Sequence, residues 1–342
     1  MATTPQAEEW TLSQAAMFIT ATLNEGGEEA AYDAIANLTG LHRSVSFRAP
    51  SRDLILRVGI GSDAWDRLFA GPRPAGLHPF IALDGGVHQA PSTPGDFLLH
   101  LRAGTLDMCF ELAGRILDSF QGTLTVVDEV HGFRFFDSRD LLGFVDGSEN
   151  PSGAAADRWT TVGDEDQRFA GGNYVIIQKY VHDMSAWNAL TVEQQELVIG
   201  RRKTDNIELP DDQKPVDAHI VVNTVEDAAG EQQQIVRLNM PFGELGKGEY
   251  GTFFIGYSRT PEVTETMLER MFIGEPPGNT DRLLDFSTAE TGCLFFTPTD
   301  EFLDDPFPFV GPSVTIADEP TPTAPAATGD GALTIGSLKG MN

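Results

Sequence analysis

Strand-like apolar runs and amphipathic helical segments alternate through both halves of this chain, and neither half carries the glycine-rich turn of a parallel, nucleotide-binding sheet. In the first half, Thr11-Leu-Ser-Gln14 has the spacing of a capping box and predicts a helix through Met17, Phe18 and Ile19. A second helix is expected over 28–38, with strands over 53–58, 97–101 and 123–127. A further helix begins at Leu106, and its apolar positions Cys109, Phe110, Ala113, Ile116 and Leu117 fall on one stripe. The second half predicts strands over 174–180, 219–222, 234–239, 252–257 and 294–297, with helices over 183–199 and 261–272. Antiparallel sheets with helices packed on one face accommodate this order, so the expected fold is α+β, a duplication of two ferredoxin-like domains. The polar, glycine-rich segment 143–172 interrupts regular structure and puts the boundary near residue 150, giving domains over 8–150 and 151–310.

Charge narrows the range of partners. The 51 Asp and Glu outnumber the 23 Lys and Arg, for a net charge of −28. Such an excess repels phosphate backbones and anionic lipid, so neither nucleic acid nor a membrane surface is expected as a partner. Cys109 and Cys293 are far apart and form no CxxC pair. With no basic and apolar leader at the N-terminus and no run of about 18 apolar residues, the expected location is cytoplasmic.

Several catalytic motifs are missing. Gly59-Ile-Gly61 lacks the third glycine of a dinucleotide loop, and Gly243-Glu-Leu-Gly-Lys247 has the wrong spacing for a phosphate loop. No HExxH, GxSxG or clustered Cys/His set occurs. The informative segment is Leu141-Leu-Gly-Phe-Val-Asp-Gly-Ser-Glu-Asn-Pro151, where Asp146 stands between an apolar pair and a glycine; alone, it is also compatible with an Asx turn. Arg237 and Asn239 are two apart on an expected strand, so they project from one face while Leu238 points to the other. His219 heads an apolar run, where an imidazole needs a defined partner, and a lone histidine is also compatible with a structural role.

In these segments the chain resembles the dye-decolorizing peroxidases, most closely the bacterial B-type members. Gly143-Phe-Val-Asp146-Gly147 matches their GxxDG motif and is followed by Asn-Pro. Further blocks agree in order: Ile199-Gly-Arg-Arg-Lys203, Asp217-Ala-His219, Ile235-Val-Arg237-Leu-Asn239, Phe253-Phe-Ile-Gly-Tyr257 and Asp281-Arg-Leu-Leu-Asp285, covering nearly all of residues 8–308.

The resemblance implies a fold of the dimeric α+β barrel type, a haem b cofactor (iron protoporphyrin IX), and a homo-oligomer, a hexamer built as a trimer of dimers. It implies His219 as proximal ligand to the haem iron and Asp146, Arg237 and Asn239 as the distal residues facing peroxide. Asp146 suits general base and then acid, and the permanently cationic Arg237 suits the charge on the departing oxygen; Arg237 ranks at least level with Asp146. Asn239 is a neutral donor able to orient peroxide or water. Asp281 is implied as the carboxylate partner of His219, with Asp285 as fallback. Arg201 is implied as the partner of a haem propionate, with Arg202 beside it either sharing that role or solvated. Phe253, Phe254 and Leu238 are candidate walls of the pocket. A carboxyl in place of a distal imidazole implies peroxidase activity that persists at acidic pH.

From Gly311 the chain turns to Thr, Pro and Ala, expected as a linker over 311–330. Residues 331–342, beginning Gly-Ala-Leu-Thr-Ile-Gly-Ser-Leu-Lys, resemble the cargo-loading peptide of encapsulin nanocompartments, with Leu333, Ile335 and Leu338 as apolar pegs. Thr334 replaces a glycine common in that motif, and Gly340-Met-Asn follows where a second basic residue is frequent. The expected function is a haem peroxidase that reduces hydrogen peroxide and oxidises small organic reductants such as dyes and phenolics, with Mn(II) a further candidate, inside an encapsulin shell. The rival expectations are a haem store or carrier, and a deferrochelatase.

Overall fold

The computed structural model describes residues 10–310; the expected linker and terminal peptide lie outside them. Four strands form the first half: β1 (Ala15–Leu23), β2 (Ile55–Ile60), β3 (Phe97–Ala103) and β4 (Leu124–Phe133). They pair antiparallel in the order β4-β1-β3-β2, and helices Glu28–Ile35 and Leu106–Ser119 supply the crossovers. The second half repeats this plan with β5 (Asn173–His182), β6 (Val236–Arg237), β7 (Met240–Glu244), β8 (Glu249–Ser258), β9 (Ser287–Ala289) and β10 (Cys293–Thr297). Its order is β10-β5-β8, with β6 and β7 both on the far side of β8 and β9 on β5. Each half is therefore ferredoxin-like, as the alternation of elements predicts.

The two sheets join where Phe296 of β10 pairs with Ile60 of β2, making one ten-stranded antiparallel sheet. The sheet curls until its ends meet: a Cβ on Gly132 of β4 would lie 2.7 Å from the Cβ of Met240 in β7. Its two faces separate by the period of two. Phe18, Val130, Ile177, Leu238, Phe253 and Ile255 fill the inside. Met17, Ile19, Leu99, Leu112, Ile116 and Leu268 form the core under the helices. Polar links cross inside the curl, where Arg57 donates to Asn173 Oδ1 (3.0 Å) and His100 Nδ1 lies 2.8 Å from the Tyr257 hydroxyl.

Four expectations are corrected. Residues 11–19 do not form a helix: Ala15–Leu23 is a strand lying between β3 and β4. A strand covered on both faces needs apolar residues at every position, and such a run looks alike for either element. Likewise, His219–Val222 is a short helix rather than a strand, closed by Val221 and Val222 amides donating to the Ala218 carbonyl and by Asn223 Nδ2 donating to the His219 carbonyl. The expected helix over 183–199 divides into Met184–Ala189 and Val192–Ile199, the second opened by a capping box between Thr191 and Gln194. Segment 143–172 holds a helix, Ala154–Thr160, that the sequence did not predict. Among the described residues no helix is long and apolar enough to cross a membrane.

Candidate active site

A cavity of about 410 Å³ lies on the helix-covered face of the second-half sheet, between β5 and β8 on one side and helices Val192–Ile199, His219–Val222 and Pro261–Phe272 on the other. Leu142, Phe144, Ile199, Ile220, Ile235 and Phe254 give it broad apolar walls. Asp146, Arg237, His219 and Arg201 all line it.

His219 comes from the short helix. Its Nδ1–H donates to Asp281 Oδ2 at 2.6 Å, although the two residues are far apart in sequence. Asp281 is fully buried and further fixed: its Oδ1 accepts from the Leu283 amide (2.8 Å) and its Oδ2 from Asn223 Nδ2 (3.2 Å). A carboxylate so held orients the imidazole and leaves Nε2 as the ring nitrogen available to a ligand. Asp285 is not the partner; it lies beside His88 (3.4 Å) and Arg282 (3.8 Å).

Asp146 sits on a loop that folds back on itself. The Asp146 amide donates to the Ser138 carbonyl (2.9 Å), and Gly143 and Gly147 take φ of +97° and +76°, a region that L side chains disfavour. Asn150 anchors the loop to β6. It accepts from the Arg237 amide (3.0 Å) and donates to the Arg237 carbonyl (2.6 Å), as a neighbouring strand would. This clamp brings the loop and the strand together at the cavity. The sequence offered a signal for it only in the Asn-Pro that follows the glycine motif.

Arg237 lines the cavity, and its buried Nε has no partner among the described residues. Asn239 projects from the same side as Arg237 but does not line the cavity. Its Nδ2 donates to Asp146 Oδ2 (2.9 Å) and its Oδ1 accepts from the Ile255 amide (3.0 Å), so it positions the carboxylate. Of the three expected walls, Phe254 alone faces the cavity. Phe253 and Leu238 point inside the curled sheet, because neighbouring strand residues face opposite ways.

A second acid, Asp140, was not picked out from the sequence. It lines the same cavity and accepts from the Gly143 (2.8 Å) and Phe144 (2.9 Å) amides through Oδ1. Burial, opposed by those donors and reinforced by the charge of Asp146, pushes its carboxyl up to about 7. Arg201 lines the cavity between Glu149 and Glu208, with a buried Nε that lacks a partner among the described residues. Arg202 is a half-exposed ion pair with Asp205 (3.2 Å) and does not line the cavity.

The duplicated fold and a cavity that gathers an imidazole–carboxylate pair, an amide-held carboxylate and an arginine define a two-domain α+β enzyme whose cavity is equipped for acid–base chemistry. The chain belongs to the Dyp-type peroxidase family: the N-terminal domain of that family matches residues 10–134 and the C-terminal domain residues 137–302. It is 61% identical over 329 residues to a dye-decolorizing peroxidase of Mycolicibacterium paratuberculosis, covering 96% of this chain and 91% of the relative. It is 59% identical over 339 residues to that of Mycobacterium tuberculosis, covering 99% and 98%. The fold matches the encapsulated DyP-type peroxidase of Mycobacterium smegmatis with a TM-score of 0.88 at 60% identity, covering 90% of this chain and 99% of that one. It matches DyPB of Rhodococcus jostii with a TM-score of 0.86 at 52% identity, covering 89% and 99%. The chain is a dye-decolorizing peroxidase by family.

Proposed function

We propose that the chain is a B-type haem b peroxidase that reduces hydrogen peroxide and oxidises small organic molecules in one-electron steps. The observation that carries this reading is the convergence of His219 with buried Asp281, and of Asp146 with Asn239 and Arg237, on one apolar-walled cavity. Variants of the Rhodococcus jostii enzyme are described in complex with haem, and a DypB variant in complex with manganese. The residues here suit such a group: an imidazole oriented by a buried carboxylate, apolar walls for a flat macrocycle, and buried guanidinium donors at Arg201 and Arg237.

His219 would hold the iron through Nε2, with Asp281 raising its basicity, and Arg201 would face a propionate. Haem, once bound, supplies the iron that takes up peroxide and stores two oxidising equivalents. Breaking the O–O bond requires a proton moved from one peroxide oxygen to the other. Asp146, its Oδ2 fixed by Asn239, is the group to accept and return that proton, and Arg237 stabilises the charge gathering on the departing oxygen. A haem store or carrier would have no use for this acid–cation set.

We extend the proposal to the chain's setting: domains over 8–150 and 151–310, a cytoplasmic homo-oligomer, and packaging in an encapsulin shell through residues 331–342. The encapsulated Mycobacterium smegmatis relative supports the last point. The test is stopped-flow absorption of haem-loaded protein with one equivalent of peroxide, beside His219→Ala. A shifted, bleached Soret band within milliseconds to seconds in the wild type, and lost axial ligation in the variant, support the reading. Bound haem that ignores peroxide would identify a carrier instead.

A further inference from the structure

A second cavity, of about 620 Å³, lies behind the first and is lined by Asp84, His88, Gln89, Phe272 and Leu284. Ser287 alone among the described residues lines both cavities. Its hydroxyl is 2.8 Å from His182 Nδ1, and on the other side of the ring His182 Nε2 is 2.9 Å from Thr252 Oγ1. Thr252 lines the main cavity. The three residues belong to adjacent strands: Ser287 of β9 pairs with His182 of β5, and Thr252 of β8 pairs with Tyr180, two residues earlier on β5. They share one face of the sheet, in a row.

We propose that Ser287, His182 and Thr252 form a proton relay leading from the second cavity into the active-site cavity. The need for one rests on the peroxidase reading. Reducing peroxide to two waters consumes two electrons and two protons, so each turnover draws two protons into the cavity. His182 is suited to the task because both its ring nitrogens face hydroxyls, groups that donate and accept equally well. Burial holds the ring down to about 4, so at pH 7 it is neutral, with one lone pair to receive a proton and one N–H to release. In each passage a proton arrives at Ser287 Oγ from the second cavity and the Ser287 O–H proton passes to Nδ1. The Nε2–H proton then passes to Thr252 Oγ1, and the Thr252 hydroxyl proton enters the main cavity. One O–H or N–H bond forms for each that breaks, and no electrons change hands. The ring ends as its other tautomer, and rotation of the two hydroxyls with a turn of the imidazole about its Cβ–Cγ bond, which carries no proton back, restores the starting state for the next passage.

His182→Gln is the discriminating variant, since glutamine keeps a donor and an acceptor for the two hydroxyls but cannot exchange a proton between them. Holoenzyme is oxidised with one equivalent of peroxide, mixed with excess reductant and a pH indicator dye, and followed in H2O and D2O. Formation of the oxidised state should match wild type, while proton uptake and return to rest slow by roughly 10- to 100-fold, with a larger solvent isotope effect. Ser287→Ala, which removes the outer hydroxyl, should act in the same direction and serves if the glutamine variant folds poorly. In wild type labelled with 15N-histidine, the His182 ring signals at pH 7 should show two tautomers in exchange. Normal proton uptake in both variants, or a single fixed tautomer, would overturn the relay. Failure of wild type to form any oxidised state would instead sink the peroxidase reading, and the relay's purpose with it.

Discussion

His219 Nδ1 lies 2.6 Å from Asp281 Oδ2, an imidazole at the cavity joined to a carboxylate that solvent does not reach. Asp281→Asn should keep the shape and lose the negative charge. Because the wild-type carboxylate also accepts from Leu283 and Asn223, the variant should lose about 1–3 kcal/mol in urea unfolding. Haem retention should fall by roughly 10- to 100-fold, measured by Soret titration.

Arg237 brings a cation to the cavity without being a ligand. Arg237→Leu should slow the peroxide-dependent spectral change by roughly 10²- to 10³-fold while leaving haem content near wild type. An unchanged rate would remove Arg237 from the chemistry.

Asn150 is tied at both ends to the backbone of Arg237. Asn150→Asp keeps the acceptor and sets a carboxylate oxygen against the Arg237 carbonyl. The loop should loosen at a cost of about 1–2 kcal/mol, with slower peroxide cleavage because Asp146 loses its position. The thermal midpoint and stopped-flow rate measured on one preparation check both effects.

Asp140, raised by burial to about 7, makes stability depend on pH. Between about 4 and 7 the folded protein holds a proton that the unfolded chain has already released, so this group's contribution falls as pH rises through that window. Asp140→Asn keeps an acceptor for the Gly143 and Phe144 amides and removes the titration. Urea melts should show equal stability near pH 4 and an advantage to the variant of about 4 kcal/mol at pH 8.

Deletion of residues 331–342 should leave the peroxide rate unchanged and abolish co-purification with a co-expressed encapsulin shell. Retained loading would place the docking signal elsewhere in the chain.

Much of the site was legible from local pattern. The alternation along 237–239 put Arg237 and Asn239 on one face and Leu238 on the other, and the structure keeps that division. The pattern could not reveal that Asn239 turns to Asp146 rather than to the cavity, because the contact joins segments far apart in the chain. Asn150 escaped for the same reason, whereas Asp140 has local partners, the Gly143 and Phe144 amides, and its importance lies in the burial that the folded cavity imposes. The run at 15–23 misled because a capping box is a local signal, worth about 1 kcal/mol, against the burial of an apolar strand on both faces.

The sequence by itself determined the duplicated α+β plan, the family, and which side-chain types were present to do the chemistry, since periodicity and motif spacing are properties of neighbours. Tertiary structure alone decided that Asp281 and not Asp285 meets His219, and that His219 leaves from a helix. It also decided that a neutral imidazole at His182 bridges two hydroxyls beside the cavity. These are contacts between distant segments, set by how two sheets join and curl, and burial after that folding fixes which groups keep or lose their charge.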